Sequence, residues 1–163
     1  MSKPDFTHSG QLISSADNIF DRKALDVKID AALESMSDGS KIRTSLVKIL
    51  TEARANGMAA IARSFAKKPF SAHPTTSSYS YLTDCLIETA YCAIVRHLHP
   101  TQFSTTGERL VLIAVGGYGR GQMAPFSDVD LLFVVPYKIT AWAENIVESL
   151  LYILWDLKIK VGH

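Results

Sequence analysis

The residues of this chain best suited to chemistry are Asp128 and Asp130, together with the glycines ahead of them, in Val115-Gly-Gly-Tyr-Gly-Arg-Gly-Gln-Met-Ala-Pro-Phe-Ser-Asp-Val-Asp130. Side chains two apart on an extended backbone leave the same face, with Cα atoms ~6.6 Å apart, so both carboxylates can converge on shared cations. Hard carboxylate oxygens suit Mg²⁺, and two such ions ~3.5 to 4 Å apart can activate an attacking oxygen and neutralise a leaving one in phosphoryl transfer. Gly116 and Gly117 present backbone N–H groups with no side chain in the way of a triphosphate, and Arg120 can add a charge-assisted contact. Ser127, which opens the Ser-Asp-x-Asp run, joins them on the nucleotide side. A lone Asp-x-Asp usually caps a turn; the glycines before it and the hydrophobic runs on both sides are what make this pair a candidate site.

Two familiar phosphate motifs fail on the same segment. A dinucleotide fingerprint beginning at Gly117 and Gly119 needs Gly or Ala where Gln122 stands. A P-loop beginning at Gly116 finds Gly121 in register but Gln122 and Met123 in place of Lys and Ser/Thr.

The elements that must position these residues follow from periodicity. Arg109 to Val115 and Val129 to Val135 are β-favouring runs, and the glycine-rich segment lies between them. Upstream, helical spacing of apolar residues predicts helices over Asp21–Met36, Lys41–Lys67 and Tyr79–His99, the last capped by Ser77 or Ser78, with Pro69 and Pro74 between the second and third. Downstream, Thr140–Leu157 reads as a helix with Trp142 and Trp155 in the core, and Lys158–Val161 as the start of a further strand. The expected fold is therefore α/β, divided into a mobile leader at 1–20, a helical region at 21–100 and a partial α/β core at 101–163. A strand opening in the last residues is expected to mark a truncated piece of a longer domain.

Composition narrows the classes. The 163 residues are 47% hydrophobic and 20% charged, which suits one globular domain. Seventeen basic against sixteen acidic side chains give a net charge of +1, so no global field draws the chain to nucleic acid or anionic lipid, and phosphate recognition must be local. No apolar stretch approaches the ~18 residues of a membrane span, and residues 1 to 20 lack the apolar core of a secretory signal, so a cytoplasmic protein is expected. Cys85 and Cys92 read as core thiols, out of mutual disulfide reach. His97 and His99 point to different sides of a helix end, and with His8, His73 and His163 scattered, no histidine metal cluster is expected.

Gly116-Gly-Tyr-Gly-Arg-Gly through Pro125-x-Ser-Asp-x-Asp-Leu-Leu132 resembles the active-site motif of the polymerase-beta-like nucleotidyltransferases. More closely, it resembles the N-terminal part of the bacterial bifunctional uridylyltransferase/uridylyl-removing enzymes, as do Tyr81-Leu-Thr-Asp84, Leu154-Trp-Asp-Leu157 and Lys160-Val-Gly-His163. The resemblance implies the first part of a nucleotidyltransferase mixed sheet, Mg²⁺ on Asp128 and Asp130, and the triphosphate of UTP on the Gly116/Gly117 turn. It also implies a tyrosine of the PII nitrogen-regulatory protein as the acceptor, with pyrophosphate expelled. Gln122 stands where that family usually has Glu. The family's third acidic residue lies on a later strand, so this fragment alone is expected to be inactive. No adjacent His-Asp pair is present for the removing activity, and glutamine would act only through domains absent here. Adenylylation of glutamine synthetase or of a small molecule by the same core, and a non-catalytic nucleotide-sensing module, are the rival readings. ATP against UTP as donor separates the first, and binding without turnover identifies the second.

Overall fold

The computed structural model of the chain describes residues 11–100 and 108–162. Helices come first: α1 (Ala16–Ile19), α2 (Arg22–Leu33), α3 (Gly39–Lys67) and α4 (Ala72–Ala93), the last running on as a π-helical turn over Ile94–Leu98. Then follow β1 (Val111–Ala114), a one-turn helix α5 (Gly116–Gly119), β2 (Val129–Val134), α6 (Ala141–Asp156) and β3 (Val161–Gly162). The caps are local chemistry. Asp21 accepts from the Ala24 N–H, Asp38 from those of Ser40 and Lys41, and Thr140 from that of Ala143, each satisfying donors that a first helical turn leaves open.

The helices pack on their apolar stripes. Leu46, Leu50 and Ile61 of α3 meet Leu82, Leu86 and Ala90 of α4 in one buried cluster that also takes in Ile146, Leu150 and Leu154 of α6. The small sheet has the order β1-β2-β3. β1 and β2 run antiparallel, pairing Val111 with Val134 and Ala114 with Leu131. β2 and β3 run parallel, pairing Val129 with Val161 and Asp130 with Gly162. This is the mixed α/β arrangement that the sequence predicts. The inner face of β2, with Val129 and Leu131 buried, packs toward the helices, while Leu132 and Val134 are exposed on the outer face.

Several expectations need correction. Of the leader expected at 1–20, residues 1–10 lie outside the described residues, as do His8 and His163, but 11–20 are packed in place. Ile13, Ile19 and Phe20 are buried, and the Ile13 N–H donates to Ser78 Oγ at 2.9 Å. The third helix starts at Ala72 rather than Tyr79. Pro74 sits in its first turn, where a missing N–H costs nothing, so it does not break the helix. Ser77 and Ser78 are consequently buried within the helix and cap nothing. Trp155 is 44% exposed, set edge-on to Tyr152 with ring centroids 5.6 Å apart, and is not a core residue. No helix among the described residues is long and apolar enough to cross a membrane.

Candidate active site

β1 ends at Ala114 and the chain turns at once into α5, so the glycines stand at the mouth of the sheet. The Val115 N–H donates to the Asp130 carbonyl at 3.1 Å, carrying the β1–β2 ladder up to the turn. The Gly119 N–H closes on the Val115 carbonyl at 2.8 Å, which places the N–H groups of Gly116 and Gly117 ahead of that turn's own hydrogen bond.

Asp130 occupies a seat shaped by two missing side chains. A Cβ on Gly116 would lie 2.5 Å from Asp130 Oδ2, and a Cβ on Gly162 would lie 2.6 Å from Asp130 Oδ1. A Cβ at either position would push the carboxylate from this placement, so its present seat depends on both neighbours being glycine. Gly116 also has φ +62°, a left-handed conformation that glycine adopts without cost. The sequence marks Gly116 through its motif. Gly162 was missed as a site residue, because its approach to Asp130 depends on parallel pairing between strands far apart in the chain.

Asp128 lies just before β2, exposed, at the same parity as Asp130 on the outer side of the sheet. Its delivery depends on Ser127. The Ser127 Oγ accepts the Ala124 N–H at 2.9 Å, and the Ser127 N–H donates to the Ala124 carbonyl at 3.1 Å, closing a turn immediately before Asp128. Ser127 thus shapes the loop and keeps its hydroxyl hydrogen for another acceptor. Arg120 is exposed at the end of α5, its guanidinium beside Gly117. Gln122 holds the loop through its backbone, the N–H donating to the Gly117 carbonyl at 3.1 Å.

The turn is tied to the helical region by Tyr118. This side chain is buried, and its hydroxyl donates to Asp84 Oδ1 of α4 at 2.5 Å. Burial, then the Asp84 charge and the hydrogen bond to it, raise the Tyr118 phenol far above its ordinary value, so it remains a donor. The Tyr81-Leu-Thr-Asp84 segment therefore has a physical part in the site: its aspartate anchors the glycine turn.

The donor set fits a magnesium ion. Among the described residues no group of three or more His, Cys, Asp or Glu side chains is placed to hold a metal, and the carboxylates on offer here are those of Asp128 and Asp130, at the same parity. Mg²⁺ characteristically binds through one or two carboxylates, with waters and substrate phosphates filling the remaining positions. Two of the described histidines serve elsewhere: His97 Nε2 lies 3.2 Å from Asp30 Oδ1, and His99 Nε2 lies 2.9 Å from Ser149 Oγ. Cys85 and Cys92 are free thiols; burial raises both, Cys85 to about 11, so neither is an activated nucleophile.

Comparison with known proteins meets this geometry. The Nucleotidyltransferase domain family matches residues 100–161, the stretch that contains β1, β2, the glycine turn and both aspartates. A bifunctional uridylyltransferase/uridylyl-removing enzyme of Ruegeria pomeroyi is 52% identical over 145 residues, 89% of this chain and 16% of that protein. The protein of the same name from Cereibacter sphaeroides is 44% identical over 154 residues, 93% of this chain and 17% of that protein. Its counterpart in Rhodospirillum rubrum is 39% identical over 145 residues, 89% of this chain and 16% of that protein. The chain thus spans about 16% of the length of the curated relatives it matches. No solved structure matches it.

Proposed function

The chain belongs to the family of bifunctional uridylyltransferase/uridylyl-removing enzymes, and we propose that it supplies the donor-nucleotide end of a uridylyl-transfer site acting on the PII nitrogen-regulatory protein. The observation that carries this reading is the seat of Asp130 between Gly116 and Gly162, with Asp128 at the same parity beside it. A carboxylate confined by two glycines and opening on the outer face of a sheet is built to meet a ligand.

In this reading Asp128 and Asp130 hold Mg²⁺, which when bound neutralises charge on the triphosphate and on the departing pyrophosphate. The N–H groups of Gly116 and Gly117 face the phosphate oxygens of UTP, and Arg120 adds a cation to them. A tyrosine oxygen of PII forms its bond to the α-phosphorus as the bond from that phosphorus to the β-phosphate oxygen breaks. Pyrophosphate leaves, and the phenolic proton passes to solvent. The reaction is cytoplasmic, in keeping with two free thiols.

The test uses the full-length enzyme that carries this segment, measuring incorporation of labelled UMP into PII. Asp128→Asn with Asp130→Asn lowers incorporation by about three orders of magnitude or more, as expected when the groups that stabilise transition-state charge are removed. Undiminished incorporation would overturn the assignment. Incorporation from ATP in preference to UTP would leave the chemistry in place and change the donor.

A further inference from the structure

Behind the loop that delivers Asp128, on the other side from the two aspartates, the fold has a half-open cavity of about 100 Å³. Val129 lines it, and Val129 has the opposite parity to Asp128 and Asp130, so this cavity and the aspartate face are separate. Its wall is apolar, with Leu82, Leu86 and Met123, but its lining also includes Arg54 from α3 and Lys158 and Lys160 from the connection between α6 and β3. No carboxylate lines it. Among the described residues none of these three cations forms an ion pair, whereas Arg22, Arg43 and Arg96 each hold an acid.

Lys158 supplies a second, independent observation. It follows α6 with φ +59°, and it is the only described non-glycine residue in the left-handed region. Its N–H donates to the Trp155 carbonyl at 2.9 Å and that of Ile159 to the Leu154 carbonyl at 3.0 Å, the paired bonds of a helix end that normally selects glycine. Lysine at such a position is less stable than glycine, and this strained residue is one that lines the cavity.

We propose that Arg54, Lys158 and Lys160 form a binding site for a phosphate-class oxyanion, distinct from the aspartate site and joined to it through the 122–128 loop. The volume suits one phosphoryl group, and three cationic residues lining one cavity with no carboxylate among them give it a positive field. Ser127 lines the same cavity immediately before Asp128, so a bound anion braces the turn that presents this carboxylate. The site does not depend on the uridylyl-transfer reading.

Thermal melting of the 163-residue protein with inorganic phosphate, pyrophosphate or UTP, against chloride at equal ionic strength, tests the proposal. Phosphate or pyrophosphate at ten times its Kd raises Tm by about 3 °C, and the rise survives in Asp128→Asn with Asp130→Asn. Lys158→Gly melts above the wild type without ligand, because its backbone strain is gone, yet loses at least half of the anion-induced rise. Arg54→Gln loses a similar share. A full rise in both single variants overturns the proposal, as does no rise beyond chloride in the wild type. So does a rise seen only with UTP and abolished by the double aspartate change, since the anion is then read at the aspartate face.

Discussion

The helical region and the outer face of the sheet use apolar residues in opposite ways. In α3 and α4 the apolar stripes close on one another, and Leu50 is 0% exposed. On the sheet's outer face Val111, Ile113, Leu132 and Val134 stand in directly paired positions across β1 and β2, and Leu132 is 50% exposed. Asp128 and Asp130 share that face at one end. Stability is therefore concentrated in the helices and the inner face of β2, and the candidate chemistry on a surface that contributes little to it. Mutations can separate the two.

The largest stability contrast is between two leucines. Leu50→Ala leaves a cavity in a closed core and costs about 2–5 kcal/mol, while Leu132→Ala removes a half-solvated side chain and costs no more than about 1 kcal/mol. Urea unfolding of both variants measures the difference. Equal costs would break the comparison, because Leu132 would then be as covered in solution as Leu50.

Gly119→Ala tests the boundary between the two regions. A Cβ there would lie 2.4 Å from the Ala114 carbonyl oxygen, a backbone atom at the end of β1 that cannot swing aside. Relieving the clash moves α5 off the strand, at a cost of about 1–3 kcal/mol in stability. The same shift carries Gly116 away from Asp130, so uridylyl incorporation by the full-length enzyme falls by more than the stability loss explains. An enzyme with Gly119→Ala that keeps wild-type turnover would show that the turn need not abut β1.

How much of this was legible in the sequence depended on how local the cause was. The stripes of α2, α3 and α6 and the β-favouring run of β2 are periodic within a few residues, and the structure has these elements close to their predicted bounds. The parity of Asp128 and Asp130 is likewise a property of neighbours. The start of α4 was obscured because Ser77, Ser78 and Ser80 look like loop or cap residues. Inside the helix, Ser78 Oγ donates to the Pro74 carbonyl at 2.7 Å and Ser80 Oγ to that of Thr76 at 3.2 Å, which lets these hydroxyls be buried. Contacts between distant segments left no periodic signal at all. Gly162 against Asp130, Tyr118 on Asp84, and the meeting of Arg54 with Lys158 and Lys160 each require the chain to be folded before they exist.

The smallest expected effect sharpens the comparison at its hinge, the Tyr118–Asp84 hydrogen bond that fastens the site turn to α4. Tyr118→Phe keeps the ring and removes the donor, costing about 1–2 kcal/mol near neutral pH because Asp84 loses a partner to its charge. The pH dependence has a definite sign. The Tyr118 phenol is raised from 10 in the folded chain, first by burial and then by Asp84, so above pH 10 the unfolded chain releases this proton while the folded chain keeps it. The native state then binds more protons, and stability falls as pH rises. Cys85 and Cys92, raised by burial from 9, act in the same direction from slightly lower pH, as do Tyr79, Tyr81 and Tyr91 from 10. Both proteins therefore lose stability in alkali, but Tyr118→Phe loses less, and the gap between the two unfolding curves narrows from pH 10 upward. A gap that stays constant to pH 11 would mean that the Tyr118 proton is as easily lost folded as unfolded, and that the turn is not held to the helices through it.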